Sequence, residues 1–305
     1  MYPAGSVPDV VAQPLEEVPA PVGPERIGVV GGGLMGSGIA EVCARAGCDV
    51  IVVEASDAAA DAAVQRIMRS IDAAVSRGKL SADAATDTRS RVRVVADLAE
   101  LADRDMIVEA VAEDEQIKVE IFTKLDGIVE RPDALLASNT SSIPIMKLGM
   151  ATSRPAQVIG VHFFNPVPVL PLVELVPSLL TADETLQRSR KFVVDRLGKR
   201  AIECQDRAGF VVNALLVPYI LSAIRMFESG FASAEDIDSG MVHGCAHPMG
   251  PLRLADLIGL DTVKAIAESL YAEFKEPTYA PPALLSRMVD AGLVGRKRAR
   301  GFYQY

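Results

Sequence analysis

His162 alone among the three histidines follows a wholly apolar run, Val158-Ile-Gly-Val161. An imidazole there is suited to proton transfer if a carboxylate holds its other nitrogen. Glu174 is the candidate, because it sits among Val173, Leu175 and Val176, where an acid needs a partner. The stretch between them, Pro166-Val-Pro-Val-Leu-Pro171, cannot be helix. If the chain folds back about Pro168, Glu174 lies as far past the pivot as His162 lies before it. Antiparallel pairing then sets the two side by side.

Other polar groups stand at the ends of apolar runs, where an open parallel sheet receives its ligand. Ala134-Leu-Leu-Ala-Ser138 exits into Asn139-Thr-Ser141-Ser142, which reads as a helix cap or as a ligand cluster. Met106 to Val111 carries Glu109, with Glu113 and Lys118 after it, and an ordinary solvated helix start explains the last two equally well. Asn213 falls in the first turn of the most apolar helix, where it bonds to nearby backbone or faces a ligand. His243 and His247 read as structural. No HExxH, paired CxxC or GxSxG occurs, so zinc hydrolysis and serine-esterase chemistry have no support and no metal is expected.

The elements that would carry these groups begin near Glu25. Arg26-Ile-Gly-Val-Val30 runs into Gly31-Gly-Gly33-Leu34-Met35-Gly36, then a helix to Ala46. Gly31 permits the tight turn, Gly33 the approach of a pyrophosphate and Gly36 close helix packing, so the phosphates meet a helix N-terminus. The next strand ends in Glu54, whose carboxylate can accept from ribose hydroxyls and repels a 2′-phosphate. Ala55, Ser56 and Asp57 offer no arginine to receive one, so NAD is expected.

Strand-like runs at 49–54, 92–95, 106–111, 134–138, 158–163, 172–176 and 201–204 alternate with helical ones, chiefly 58–77 and 183–197. This predicts βαβ units around a parallel sheet. From Gly209 onward the chain reads as helix and turn. The expected fold is therefore an α/β Rossmann-type domain over 25–205, then an all-α domain over 206–305. Residues 1–24 hold six prolines and read as an extended tail.

Composition narrows the partners. The chain has 305 residues, 31 basic against 40 acidic, and a net charge of −9, which argues against nucleic acid. The longest apolar stretch, Phe210 to Ile224, is broken by Asn213, Pro218 and Ser222; it reads as a buried helix, too short to span a membrane. Cys43, Cys48, Cys204 and Cys245 read as reduced core residues. With no secretory signal visible, the cytoplasm is expected.

Together, Ile27 to Ile39, Ser138 to Ser142, Val161 to Val169 with Leu172-Val-Glu174, Gly209 to Asn213, Glu235 to Asp238, His247 to Pro251 and Gly301-Phe-Tyr303 resemble the L-3-hydroxyacyl-CoA dehydrogenase family. The short-chain bacterial branch is the nearest in pattern. The resemblance covers Glu25 to Tyr305 and implies an NAD-dependent enzyme acting on 3-hydroxyacyl-CoA, dimeric through its helical domain. It implies His162 as base, Glu174 as its orienting carboxylate, and Ser141 and Asn213 as donors to substrate oxygens. Glu113, Lys118, Asn139 and Asn165 match positions lining the cofactor site. The chain departs from the pattern at Pro171, at Arg253 and at Arg298-Ala299-Arg300. A relative acting on a free hydroxy acid and a non-catalytic, crystallin-like relative are the rival readings. Arg66, Arg69, Arg77, Lys79, Arg89, Arg91 and Arg93 form a local basic excess that could meet CoA phosphates or be a solvated face.

Overall fold

The structure, a computed structural model, describes residues 24–305. The expected tail lies outside that range except for Pro24, which is buried and whose carbonyl accepts from the Cys48 thiol. Pro24 therefore belongs to the fold.

Eight strands form one sheet among the described residues: β1 Arg26–Val30, β2 Asp49–Val53, β3 Val92–Val95, β4 Met106–Glu109, β5 Leu135–Ser138, β6 Val158–Phe163, β7 Leu172–Pro177 and β8 Arg200–Glu203. Their order is β3-β2-β1-β4-β5-β6-β7-β8, all neighbours parallel except β6 and β7. The central strands are apolar without alternation because both faces are covered. One face packs on a core including Ile39, Ile67 and Phe192, the other on Phe122, Leu125 and Leu148.

The helices on the sheet are α1 Leu34–Arg45, α2 Asp57–Ser76, α3 Ala82–Ser90, α4 Glu115–Ile128, α5 Ile145–Met150 and α6 Asp183–Lys191, which runs into a π-helical turn over Phe192–Arg196. Helix α2 shows why such segments form. Ser56 caps it by accepting from the Ala59 N–H at 3.3 Å, and Ala60, Ala63, Ile67 and Ile71 make a buried stripe at helical spacing.

After Glu203 come α7 Val212–Glu228, α8 Ala234–Cys245, α9 Pro251–Ile258, α10 Leu260–Phe274 and α11 Ala283–Asp290, around a third core that includes Ile220, Leu252 and Leu270. Two expectations need correction here. Helix α7 is not buried all round, since Leu215 is 73% exposed. Of the cysteines, Cys43 and Cys48 are buried, but Cys204 is only partly covered and Cys245 is exposed. His243 lies inside α8.

Among the helices without a capping side chain of their own, α5, α7 and α9 are each capped at two N–H groups by a carboxylate from another segment. Asp206 accepts from the Ile145 and Met146 N–H groups of α5, and Asp238 from Leu252 and Arg253 of α9. Glu174 accepts from Val211 and Val212 at the start of α7. A negative charge there satisfies orphan donors and opposes the positive end of the helix dipole.

Candidate active site

The turn after β1 lies at the point where the strand order reverses, beside β4. Gly31 has φ +93° and its N–H donates to the Val53 carbonyl at 2.8 Å, tying β1 to β2. A Cβ on Gly36 would lie 1.8 Å from the Gly31 oxygen, so only glycine lets α1 start there. Gly33 is different: a Cβ would meet nothing within 4 Å. Helix α1 has no capping side chain and no acid in its first turn, and Leu34 is 63% exposed there. The first amides, through Met35, thus face an open space suited to an anion, and a dinucleotide pyrophosphate fits the cradle. Glu54 follows β2 directly, and its Oε1 accepts from the Gly32 N–H at 2.7 Å.

His162 and Glu174 are opposed across the β6–β7 hairpin, as the numbering about Pro168 predicts. His162 Nδ1 lies 2.7 Å from Glu174 Oε2, with both side chains buried. A carboxylate only accepts, so Nδ1 carries the hydrogen, and in the neutral ring Nε2 is then the acceptor. That nitrogen lies 3.0 Å from Ser141 Oγ. The other Glu174 oxygen takes the Val211 and Val212 N–H groups at 3.1 and 2.9 Å. One carboxylate thus holds the imidazole and the start of the helix bearing Asn213. Asn213 itself is half-exposed, and its amide has no hydrogen-bond partner among the described residues.

Ser141 is fixed from below. Glu113 Oε1 accepts from Thr140 Oγ1 at 2.6 Å, the Ser141 N–H at 2.8 Å, and the Ser142 N–H and Oγ. Burial pushes the Glu113 carboxyl up, but the Lys118 charge and these hydrogen bonds outweigh it and hold it below its ordinary value. Lys118 is no solvated residue at a helix start: it is 1% exposed, with Nζ 2.6 Å from Glu109 Oε1 and 3.3 Å from Glu113 Oε2. Glu109 Oε2 accepts from Ser138 Oγ at 2.6 Å, closing a buried network under the 138–142 turn. Asn139 is buried, its Oδ1 accepting from the Phe163 N–H at 2.8 Å and fixing the end of β6. Asn165 is exposed on the loop that follows. The neighbouring Cys204 thiol is pushed up to about 12 by burial and then by the Glu174 charge, so it offers no thiolate.

The family model for the 3-hydroxyacyl-CoA dehydrogenase NAD binding domain matches residues 26–207, and that for the family's C-terminal domain matches 209–305. The chain belongs to the 3-hydroxyacyl-CoA dehydrogenase family. It is an NAD-dependent enzyme of that family. A 3-hydroxybutyryl-CoA dehydrogenase of Mycobacterium tuberculosis is 57% identical over 281 residues, 92% of this chain and 98% of its own length. A probable 3-hydroxybutyryl-CoA dehydrogenase of Deinococcus radiodurans is 45% identical, across 92% of this chain and all of its own. The crystal structure of M. tuberculosis FadB2 superposes with a TM-score of 0.92 at 56% identity, covering 93% of this chain and 100% of that one.

Part of the network beneath the site escaped the sequence. Glu109 shows only as an acid inside a strand. Its partnership with Lys118 and Ser138 joins three elements, which no local pattern reveals. The basic excess between 66 and 93 dissolves in part: Arg89 pairs with Asp72, Arg91 with Asp87 and Arg93 with Glu100. His247 is partnered by Tyr219 Oη at 3.1 Å, in keeping with its structural reading. Among the described residues there is no cluster able to hold a metal, and no helix is long and apolar enough to cross a membrane.

Proposed function

We propose that the enzyme interconverts (S)-3-hydroxyacyl-CoA and 3-oxoacyl-CoA, on short chains such as 3-hydroxybutyryl-CoA and acetoacetyl-CoA. The observation that carries this reading is the His162 ring, bonded at Nδ1 to Glu174 and at Nε2 to Ser141. The relatives' names support the substrate class.

Bound NAD supplies the hydride acceptor. In the oxidative direction His162 Nε2 takes the 3-hydroxyl proton, and Glu174 stabilises the resulting imidazolium without taking the proton. Ser141 Oγ and the unpartnered Asn213 amide hold the reacting oxygen or the thioester carbonyl. On the cofactor side, Gly31, Gly33, Leu34, Met35 and Gly36 cradle the pyrophosphate and Glu54 accepts from the adenosine ribose. Glu113, Asn139 and Asn165 line the rest of the crevice. Lys118 acts there as a positioning residue, because its ammonium is engaged by Glu109 and Glu113.

Residues 25–205 form the NAD-binding unit and 206–305 the substrate and dimerisation unit. Leu215 at 73% and Phe231 at 78% exposure favour a homodimer through the helical domain; a monomeric mass by light scattering at micromolar concentration rules it out. NADH consumption with acetoacetyl-CoA, compared with free acetoacetate, tests the activity. Turnover of the thioester alone is expected, and equal turnover of the free acid overturns the CoA assignment.

A further inference from the structure

No arginine directly follows Glu54 in sequence, yet the fold brings one from α2 to Gly32, the residue that Glu54 also holds. Ala63 and Arg66 are one helical turn apart and share a face. Ala63 lies so close to Gly32 that a Cβ there would come within 2.5 Å of its methyl group. Arg66 Nη1 donates to the Gly32 carbonyl. The Gly32 N–H donates to Glu54, so a guanidinium and a carboxylate flank one glycine at the C-terminal ends of β1 and β2. Arg66 is half-buried and, unlike Arg89, Arg91 and Arg93, makes no ion pair among the described residues. Four of its five N–H groups are uncommitted.

We propose that Arg66 is a specificity-determining residue of the cofactor crevice, receiving a phosphate on the adenosine ribose and so offsetting the exclusion imposed by Glu54. The site then prefers NAD but keeps measurable affinity for the 2′-phosphorylated dinucleotide. This rests on the placement of the adenosine ribose at Glu54 given above. A planar guanidinium with free donors is well matched to a phosphate, whereas the carboxylate beside it repels one. Selectivity is the difference between the two effects. The 3′-phosphate of CoA has the same chemistry, but the position beside the dinucleotide turn favours the cofactor.

The test is fluorescence titration of NADH and NADPH, without acyl substrate, into wild type, Arg66→Met, Glu54→Gln and the double variant. Arg66→Met is expected to widen the NADPH-to-NADH ratio of Kd by about tenfold or more, the scale of one charged hydrogen bond. Glu54→Gln should narrow that ratio with Arg66 present or absent, and the double variant should still discriminate against NADPH more than Glu54→Gln alone. If Arg66→Met weakens both dinucleotides alike, Arg66 merely props the turn and the proposal fails. It also fails if Arg66→Met leaves the ratio unchanged both in wild type and in the Glu54→Gln background. Parallel titrations with CoA and 3′-dephospho-CoA complete the test: an Arg66→Met effect confined to that pair assigns the phosphate to the acyl carrier and overturns the proposal. Because no substrate is turned over, these results are independent of the acetoacetyl-CoA assay.

Discussion

Two carboxylates in the dehydrogenase, Glu174 and Asp256, are both 0% exposed, and both accept two backbone N–H groups from a distant segment. Asp256 takes the Phe302 and Tyr303 N–H groups at 3.0 Å each, then Tyr305 Oη at 3.1 Å, and so clasps the chain's last residues to α9. A Cβ on Gly301 would lie 1.9 Å from Asp256 Oδ1, which shows how closely the clasp is fitted. Glu174 differs in its third partner. An imidazole accepts and releases a proton near neutrality, and a phenol does not. Burial and then the Asp256 charge push the Tyr305 phenol up further. The same device, a buried acid satisfied by amides, closes a clasp in one place and in the other holds the imidazole that the proposed mechanism uses as its base.

The comparison is most severely tested at the imidazole. His162→Ala is expected to lower turnover by about 10² to 10⁴, the usual scale for general acid-base catalysis, with NADH still bound. Near-normal turnover, normalised to NADH-binding protein, ends the mechanism. Glu174→Gln removes the charge that stabilises the imidazolium while keeping the shape, so turnover should fall with cofactor affinity nearly unchanged. Since the two residues act as a unit, the double variant should lose far less than the product of the single losses. Independent, multiplying losses would show that Glu174 acts only as the cap of α7.

Asp256→Asn should reverse that profile. An amide cannot accept at both positions, so at least one buried donor is left unpaired, at a cost of about 1–3 kcal/mol. The melting temperature should drop while the folded fraction keeps its turnover. A kinetic defect without a thermal one would mean that the clasp reaches the active site, and the contrast with Glu174 would collapse.

Legibility from sequence follows the same division. The central strands were readable because strands buried on both faces are continuous apolar runs, and the pairing of His162 with Glu174 because a hairpin fixes register by counting from its pivot. The burial of Lys118 was not, since Lys at a helix start looks solvated until Glu109 is seen beneath it. Arg66 reads only as one of a local basic excess, because nothing local ties α2 to Gly32. Nothing local marks Asp238 or Asp256 as the acid that holds a distant segment. In each case the partner lies in another element, and periodicity carries no information about such pairs.

Glu113 lies between the two extremes and gives the smallest expected effect. Its hydrogen bonds come from amides and hydroxyls of the 140–142 turn, yet that turn positions Ser141 against His162, and Lys118 lends it a charge partner. Its folded-state carboxyl titrates below the ordinary value, so the charged form stabilises the native state above about pH 4.3, the unfolded reference. That contribution is lost as pH falls through the lower folded value. Glu113→Gln cannot make this gain, so wild type should melt above the variant at pH 6, and the gap should close as pH is lowered toward 3. The side chain is 40% exposed, and solvent screening keeps the gap modest. Turnover should fall less than in Glu174→Gln, because Ser141 is loosened and the base is intact. A gap in melting temperature that persists undiminished at pH 3 would show that Glu113 contributes through packing alone, and would move it to the structural side of the comparison.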